Sequence, residues 1–329
     1  MVQDFRADSD YRRFQHSVRR RNFGYGKQLS FAAYICLLWL YGHGHYLTRH
    51  THHVRFRQFT RFLRSEFDIR DARKIRLEHV SAYAQSLADL VDQGRMRVSY
   101  AQNLLSTVNV VLSGFRRDKK LIIEPAAAVG RRRHVRTTLP GGDWSEVEEA
   151  VEIAEQMGYA RGAAIILLAR AFGLRYREAV LANLPRLVQE AAKHSFVTIL
   201  DGTKGGRRSP ERRIHVGPRQ NHALVCALSV CPHGSNNLLQ YDETFRQFLN
   251  REAKPIRAVL KGAGIRCFHD LRAARLIETY EEVTGQPAPV RGQPVDRELD
   301  RVGRQQVARE AGHGEHRTGV AYVGGRKRQ

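Results

Sequence analysis

The chain has 329 residues, 42% of them hydrophobic. That composition is globular, and the length suits two domains that each bury a core. Lysine and arginine number 55 against 33 aspartate and glutamate, a formal net charge of +22, and the pI is near 10.5, so a polyanionic partner is expected. The basic excess is spread along the chain, which favours a protein that wraps its partner over one with a basic appendage. Of the four cysteines, only Cys226 and Cys231 are close in sequence, and no second ligand pair follows at zinc-site spacing. Reduced thiols, and with them an intracellular chain, are expected.

In chain order, residues 1–26 hold Arg6, Arg12, Arg13 and the run Arg19-Arg20-Arg21 with little apolar periodicity. They read as a basic arm, either solvated or touching phosphates. Residues 27–123 read as helical. Leu29 to Leu40 is apolar, but it lacks a cleavage site of small residues and is too short to span a bilayer; a buried helix is expected. Val54, Phe56, Phe59, Phe62, Leu63 and Phe67 recur at helical spacing among arginines. Leu77 to Val91 and Val98 to Phe115 complete a four-helix bundle, the former stopping before Gly94. His43, His45, His50, His52 and His53 have no acidic or cysteine partners in register, so DNA-facing or solvated histidines are expected there, with no metal.

Residues 124–142 combine proline, glycine and charge without an apolar repeat, as an interdomain linker does. Arg131, Arg132, Arg133 and Arg136 suit a strand crossing a nucleic-acid backbone, and suit equally a solvated tether. The second domain is placed at 143–329. It has helices at Trp144 to Met157, Ala163 to Arg170, Thr244 to Ala263, His269 to Val283 and about Arg304 to Ala311. Phe196 to Leu200 and Arg212 to Val216 form the one convincing hairpin. Residues 285–303, with Gly-Gln-Pro at 285–287 and again at 292–294, read as an inserted loop. The expected fold is mainly α with a small β-hairpin.

Four pieces carry chemistry. Arg175 follows an apolar helix and Gly173, where a guanidinium needs an anion, and Glu178 one turn on can orient it; a structural Arg–Glu pair explains the motif as well. His269 and Arg272, three apart on a helix, project to one side and can share a phosphate, the arginine forking onto two oxygens and the histidine moving a proton. Lys204 lies in Gly202-Thr203-Lys204-Gly205-Gly206-Arg207-Arg208 at the hairpin tip, where glycines allow close approach to a nucleic-acid backbone and a lysine can donate a proton; an ordinary solvated turn is the alternative. Tyr322 follows His313 by nine residues.

Together, Gly173-Leu174-Arg175-Tyr176-Arg177-Glu178, Lys204, His269-Asp270-Leu271-Arg272, Ala311-Gly312-His313 and Tyr322 resemble, in order, the motifs of the tyrosine recombinase (phage integrase) family. The resemblance covers about 143–329 and extends more loosely to the helical bundle. It implies a helical core-binding bundle followed by a catalytic domain, and site-specific recombination through a 3′-phosphotyrosyl intermediate, as in the integrase of a mobile element. Tyr322 would be the nucleophile, Arg175, Arg272 and His313 the donors to the phosphate, His269 the base and Lys204 the acid. No cofactor or metal is implied. Further basic contacts to DNA are expected at Arg131, Arg132, Arg133, Arg136, Arg207 and Arg208. Double-stranded DNA is the implied partner, with a homotetramer on DNA and accessory DNA-bending or directionality proteins, and no membrane. The location expected is cytoplasmic, at the nucleoid. Two alternatives are a type IB-like topoisomerase, with the same chemistry, and a DNA-binding protein of the same fold that does not cleave, against which the intact set of motifs argues. Ala273 departs from the many relatives that carry a histidine there, and the 285–303 segment lengthens the spacing from Arg272 to His313.

Overall fold

A computed structural model describes residues 16–206, 209–313 and 319–326. The chain divides into two units, Met1–Arg133 and His134–Gln329. The fold is mostly helical with one two-stranded antiparallel sheet. No helix among the described residues is long and apolar enough to cross a membrane.

In the first unit, α1 (Leu29–Tyr41), α2 (Tyr46–Phe67), α3 (Leu77–Asp92) and α4 (Val98–Arg116) bury one apolar stripe each, and the short α5 (Pro125–Val129) closes them. Cys36, Leu37, Phe56, Phe59, Leu63, Leu105, Val111 and Phe115 are fully enclosed. Val54 and Phe67, which the periodicity assigns to the apolar stripe, are exposed, so the true stripe on α2 is narrower. His52 and His53 are half-buried and turned toward the bundle. His52 stacks on Tyr41 and bonds Thr107 Oγ1 at 3.0 Å, and His53 meets Ser30 at 3.1 and 3.2 Å. Burial pushes both imidazoles below their ordinary pKa, helped by Arg55 at His52 and opposed by the Ser30 hydrogen bond at His53. The linker is not wholly irregular. Pro125 fits the first turn of α5 and the Glu124 side chain accepts from the Ala126 amide.

The second unit is built on α7 (Ala160–Ala171), whose Ile165, Ile166, Leu168 and Ala169 are all enclosed. A helix apolar on every side must be surrounded. It packs against α6 (Trp144–Gln156), α10 (Pro218–Ser229) and α12 (Phe268–Thr284). α8 (Tyr176–Leu181) and α9 (Leu184–His194) follow it, then β1 (Phe196–Thr198) and β2 (Arg213–His215). Val197 pairs with Ile214 on the buried face of the hairpin. α11 (Phe245–Gly262), α13 (Arg297–Glu310) and α14 (Val320–Val323) complete the unit. α9 and α10 escaped the sequence reading, although Leu184, Leu187, Val188 and Ala191 repeat at helical spacing. α13 begins at Arg297, inside the segment read as a loop, because Asp296 caps it by accepting from the amides of Glu298 and Leu299.

One glycine fixes how the hairpin meets the site. Gly202 has φ +66°, and a Cβ added there would lie 2.5 Å from the Arg177 carbonyl oxygen and 2.9 Å from Glu178 Cα. The contact is with backbone, which cannot turn aside. Gly202→Ala is therefore expected to destabilise the second unit by about 2 kcal/mol or more, from the left-handed backbone penalty and the overlap. Urea unfolding measures this; an unchanged midpoint would show that the hairpin is free of α8.

Candidate active site

Arg175 caps α8. Its amide donates to Glu178 Oε2 at 2.8 Å and its Nη1 to Oε1 at 2.5 Å, so residue and carboxylate close the first turn on each other. Glu178 is 1% exposed. A carboxylate so buried stays ionised only if cations hold it. Arg212 does so through both oxygens, at 2.8 and 3.0 Å, and Arg272 Nη1 lies 3.7 Å from Oε2. Burial pushes the Glu178 carboxyl up, but Arg212, Arg175 and Arg272 outweigh it and bring it to about 2.

The same three guanidiniums converge on the end of α13. The Glu310 carbonyl accepts from Arg212 Nε at 2.8 Å, and the Ala311 carbonyl accepts from Arg175 Nη2 at 3.2 Å and from Arg272 Nη2 at 2.5 Å. The last carbonyls of a helix lack intrahelical partners and carry its negative end. Gly312 then turns with φ +59°, in a place where a Cβ would lie 2.8 Å from Arg212 Cδ, and the chain reaches His313.

Arg272, on α12, is 1% exposed and also donates to the Gly173 carbonyl at 2.5 Å. Burial pulls its pKa down to about 10, with Tyr322 and Glu178 opposing and Arg212 and Arg175 reinforcing. Its Nε donates to the Tyr322 hydroxyl at 3.3 Å, and its guanidinium carbon lies 5.6 Å from the centre of the phenol ring. Tyr322, on α14, is 3% exposed. Its hydroxyl is 3.5 Å from His313 Nε2, and its ring centre is 5.7 Å from that of His313 and 5.5 Å from that of His269. His269 opens α12 at the surface. Desolvation, then the charges of Arg272, Arg136 and Arg175, lowers its pKa against the pull of Asp270. The shift favours the neutral imidazole, the form that can accept a proton.

The structure therefore brings Arg175, His269, Arg272, His313 and Tyr322 together. Lys204 is exposed in a single 3₁₀ turn, Lys204–Gly206, of the β1–β2 connection, and no hydrogen bond, ion pair or ring contact joins it to the cluster among the described residues. Arg131, Arg132 and Arg133 are exposed at the end of the first unit. Arg136 is engaged elsewhere: its Nη2 donates to Asp270 at 3.0 Å. Arg207 and Arg208 lie outside the described residues. Sequence reasoning missed Arg212. The alternation Arg212, Ile214, Val216 puts it on the same face as the buried Ile214, which was the available signal.

The depressed Glu178 pKa sets a pH window. The folded value is about 2 against an ordinary 4.5, so its stabilisation is complete above 4.5 and fades as pH falls toward 2, about 3 kcal/mol in all. Glu178→Gln is expected to cost about 3 kcal/mol or more at pH 7, because it leaves buried guanidiniums without their anion. It should also flatten the fall in stability between pH 4.5 and 2. Urea titrations across that range check both outcomes, and a variant with wild-type stability would remove Glu178 from this role.

Residues 130–276 match the family model described as Integrase. Among solved structures the chain is similar to one described as "Crystal structure of XerA recombinase", at 16% identity, covering 89% of this chain and 93% of that one, with a TM-score of 0.36. No curated protein matches. The matched segment contains Arg175, Lys204, His269 and Arg272, while His313 and Tyr322 follow it. Over residues 130–276, then, the chain is similar to the integrase family.

Proposed function

We propose that this chain is a site-specific DNA recombinase, the integrase of a mobile element, that cuts and rejoins DNA through Tyr322. The family match supports site-specific recombination in general. The observation that carries the finer reading is the position of one phenol. Tyr322 Oη accepts from Arg272 at 3.3 Å and lies 3.5 Å from His313, at the edge of a cluster in which three guanidiniums share one carboxylate. That cluster holds more positive charge than it neutralises, and a phosphate supplies the missing anion.

In the reaction, Tyr322 Oη attacks the scissile phosphorus as its proton passes to His269. The bond from phosphorus to the 5′-oxygen breaks, and that oxygen takes a proton from Lys204, which moves to the phosphate when DNA is bound. A 3′-phosphotyrosine and a 5′-hydroxyl result, and attack by the 5′-hydroxyl of a second strand reverses the step. The ester bond is kept throughout, so no external energy source is needed. Arg175, Arg272 and His313 hold the non-bridging oxygens as charge builds on them. Exchange between two duplexes calls for four copies of the chain on DNA, with accessory proteins bending the sites.

Tyr322→Phe is expected to abolish SDS-resistant adducts on nicked DNA from the borders of the element while DNA affinity stays nearly intact. Arg272→Ala should slow cleavage by about 10²–10³, far more than it weakens binding. Gel assays of adduct and of affinity separate the two effects. Adducts from the phenylalanine variant would sink the assignment, and equal losses of cleavage and binding would make Arg272 a docking residue only.

A further inference from the structure

We infer that Arg136 is a positioning residue for Tyr322 and not a phosphate contact; this rests on the nucleophile reading above. α14 spans only four residues, and the amides of Tyr322 and Val323 both donate to the Gly319 carbonyl, at 2.8 and 3.1 Å. A single turn does not hold itself in water, so its place depends on what it is tied to. Tyr322 and Val323 pack in a small core with Ala273, Ile277, Tyr280 and Val307, which anchors one side. The carbonyls on the other side go to Arg136, whose amide donates to Val320 at 2.9 Å and whose Nε donates to Ala321 at 3.4 Å.

The rest of the Arg136 side chain is fixed as well. Nη2 donates to Asp270 at 3.0 Å and Nη1 to the Thr138 carbonyl at 3.4 Å. The two side chains of the Arg136–Asp270 pair are 8% and 3% exposed, and Arg266 donates to the same Asp270 oxygen at 3.0 Å. Asp270 sits between His269 and the residues leading to Arg272 in the first turn of α12. One arginine thus ties the backbone that carries the phenol to the turn that carries the imidazole. A guanidinium so covered and paired is a poor donor to a DNA phosphate, whereas Arg131, Arg132 and Arg133 nearby in sequence stand exposed. The spacing of basic residues cannot separate these fates, because Asp270 is 134 positions away.

The test compares full-length wild type, Arg136→Ala and Arg136→Lys. Hydrogen exchange without DNA is expected to rise in the 319–323 peptide of Arg136→Ala, with the α7 peptide unchanged, and to be partly restored in Arg136→Lys. Adduct formation at saturating DNA should fall about tenfold to a hundredfold, the scale expected for a misplaced reacting group. The dependence of DNA affinity on salt should keep its slope, because no phosphate contact is lost. Unchanged exchange at 319–323 overturns the inference. So does a salt slope shallower by about one with normal adduct rates, the mark of a phosphate-contacting arginine. An adduct mapped to a residue other than Tyr322, with the exchange result intact, overturns the nucleophile and leaves the tie between Arg136 and α14 standing.

Discussion

A single buried carboxylate organises the second unit. Glu178 takes Arg175 and Arg212 directly and Arg272 at a longer distance, and without it three guanidiniums, two of them fully buried, would repel one another. The desolvation of so many charges is costly, and only close multiple hydrogen bonding offsets it. The protein supplies that from two sources: the Glu178 oxygens, and the unpaired carbonyls at the end of α13. The helix end is an inexpensive acceptor because its carbonyls have no intrahelical use. Cations there also meet the favourable end of the helix dipole.

The geometry of the site follows from this knot. Arg175 can reach Glu178 because it caps the helix whose first turn holds Glu178. Arg212 reaches Glu178 because it enters β2 on the buried face beside Ile214, and Gly202 lets the hairpin lie against the α8 backbone. Arg272 bridges the knot to Tyr322. A chain of contacts therefore runs from an enclosed ion cluster to a phenol, and each member limits the freedom of the next. The lowered pKa of His269 comes from desolvation first, and the charges of Arg272, Arg136 and Arg175 add to it.

Much of this was legible in the sequence because the informative relations were short. Arg175 with Glu178, His269 with Arg272, and the core stripes of α3 and α4 all lie within one or two helical turns, where side-chain direction follows from spacing alone. What could not be read was long-range. Arg212 meets Glu178 across 34 positions and Arg136 meets Asp270 across 134, and no local pattern distinguishes an arginine bound for a carboxylate from one bound for solvent. The start of α13 was hidden for a different reason. Two Gly-Gln-Pro repeats dominate 285–294, and the Asp296 cap just beyond them is a weak signal beside so many helix breakers. Of the five histidines between 43 and 53, His52 and His53 turn toward the bundle, and composition does not report direction.

The convergence on α13 also orders events during folding. The bonds from Arg175 and Arg212 to the last carbonyls of that helix close loops of 136 and 98 residues. The hairpin and the packing of α6 on α7 need only local contacts. Loop-closure entropy makes distant contacts slow to form and early to be lost. A chain that has formed its helices but not this closure already carries its full positive charge, yet it has no assembled pocket for a phosphate. On the function proposed above, affinity for nucleic acid would be gained before the capacity to cut it.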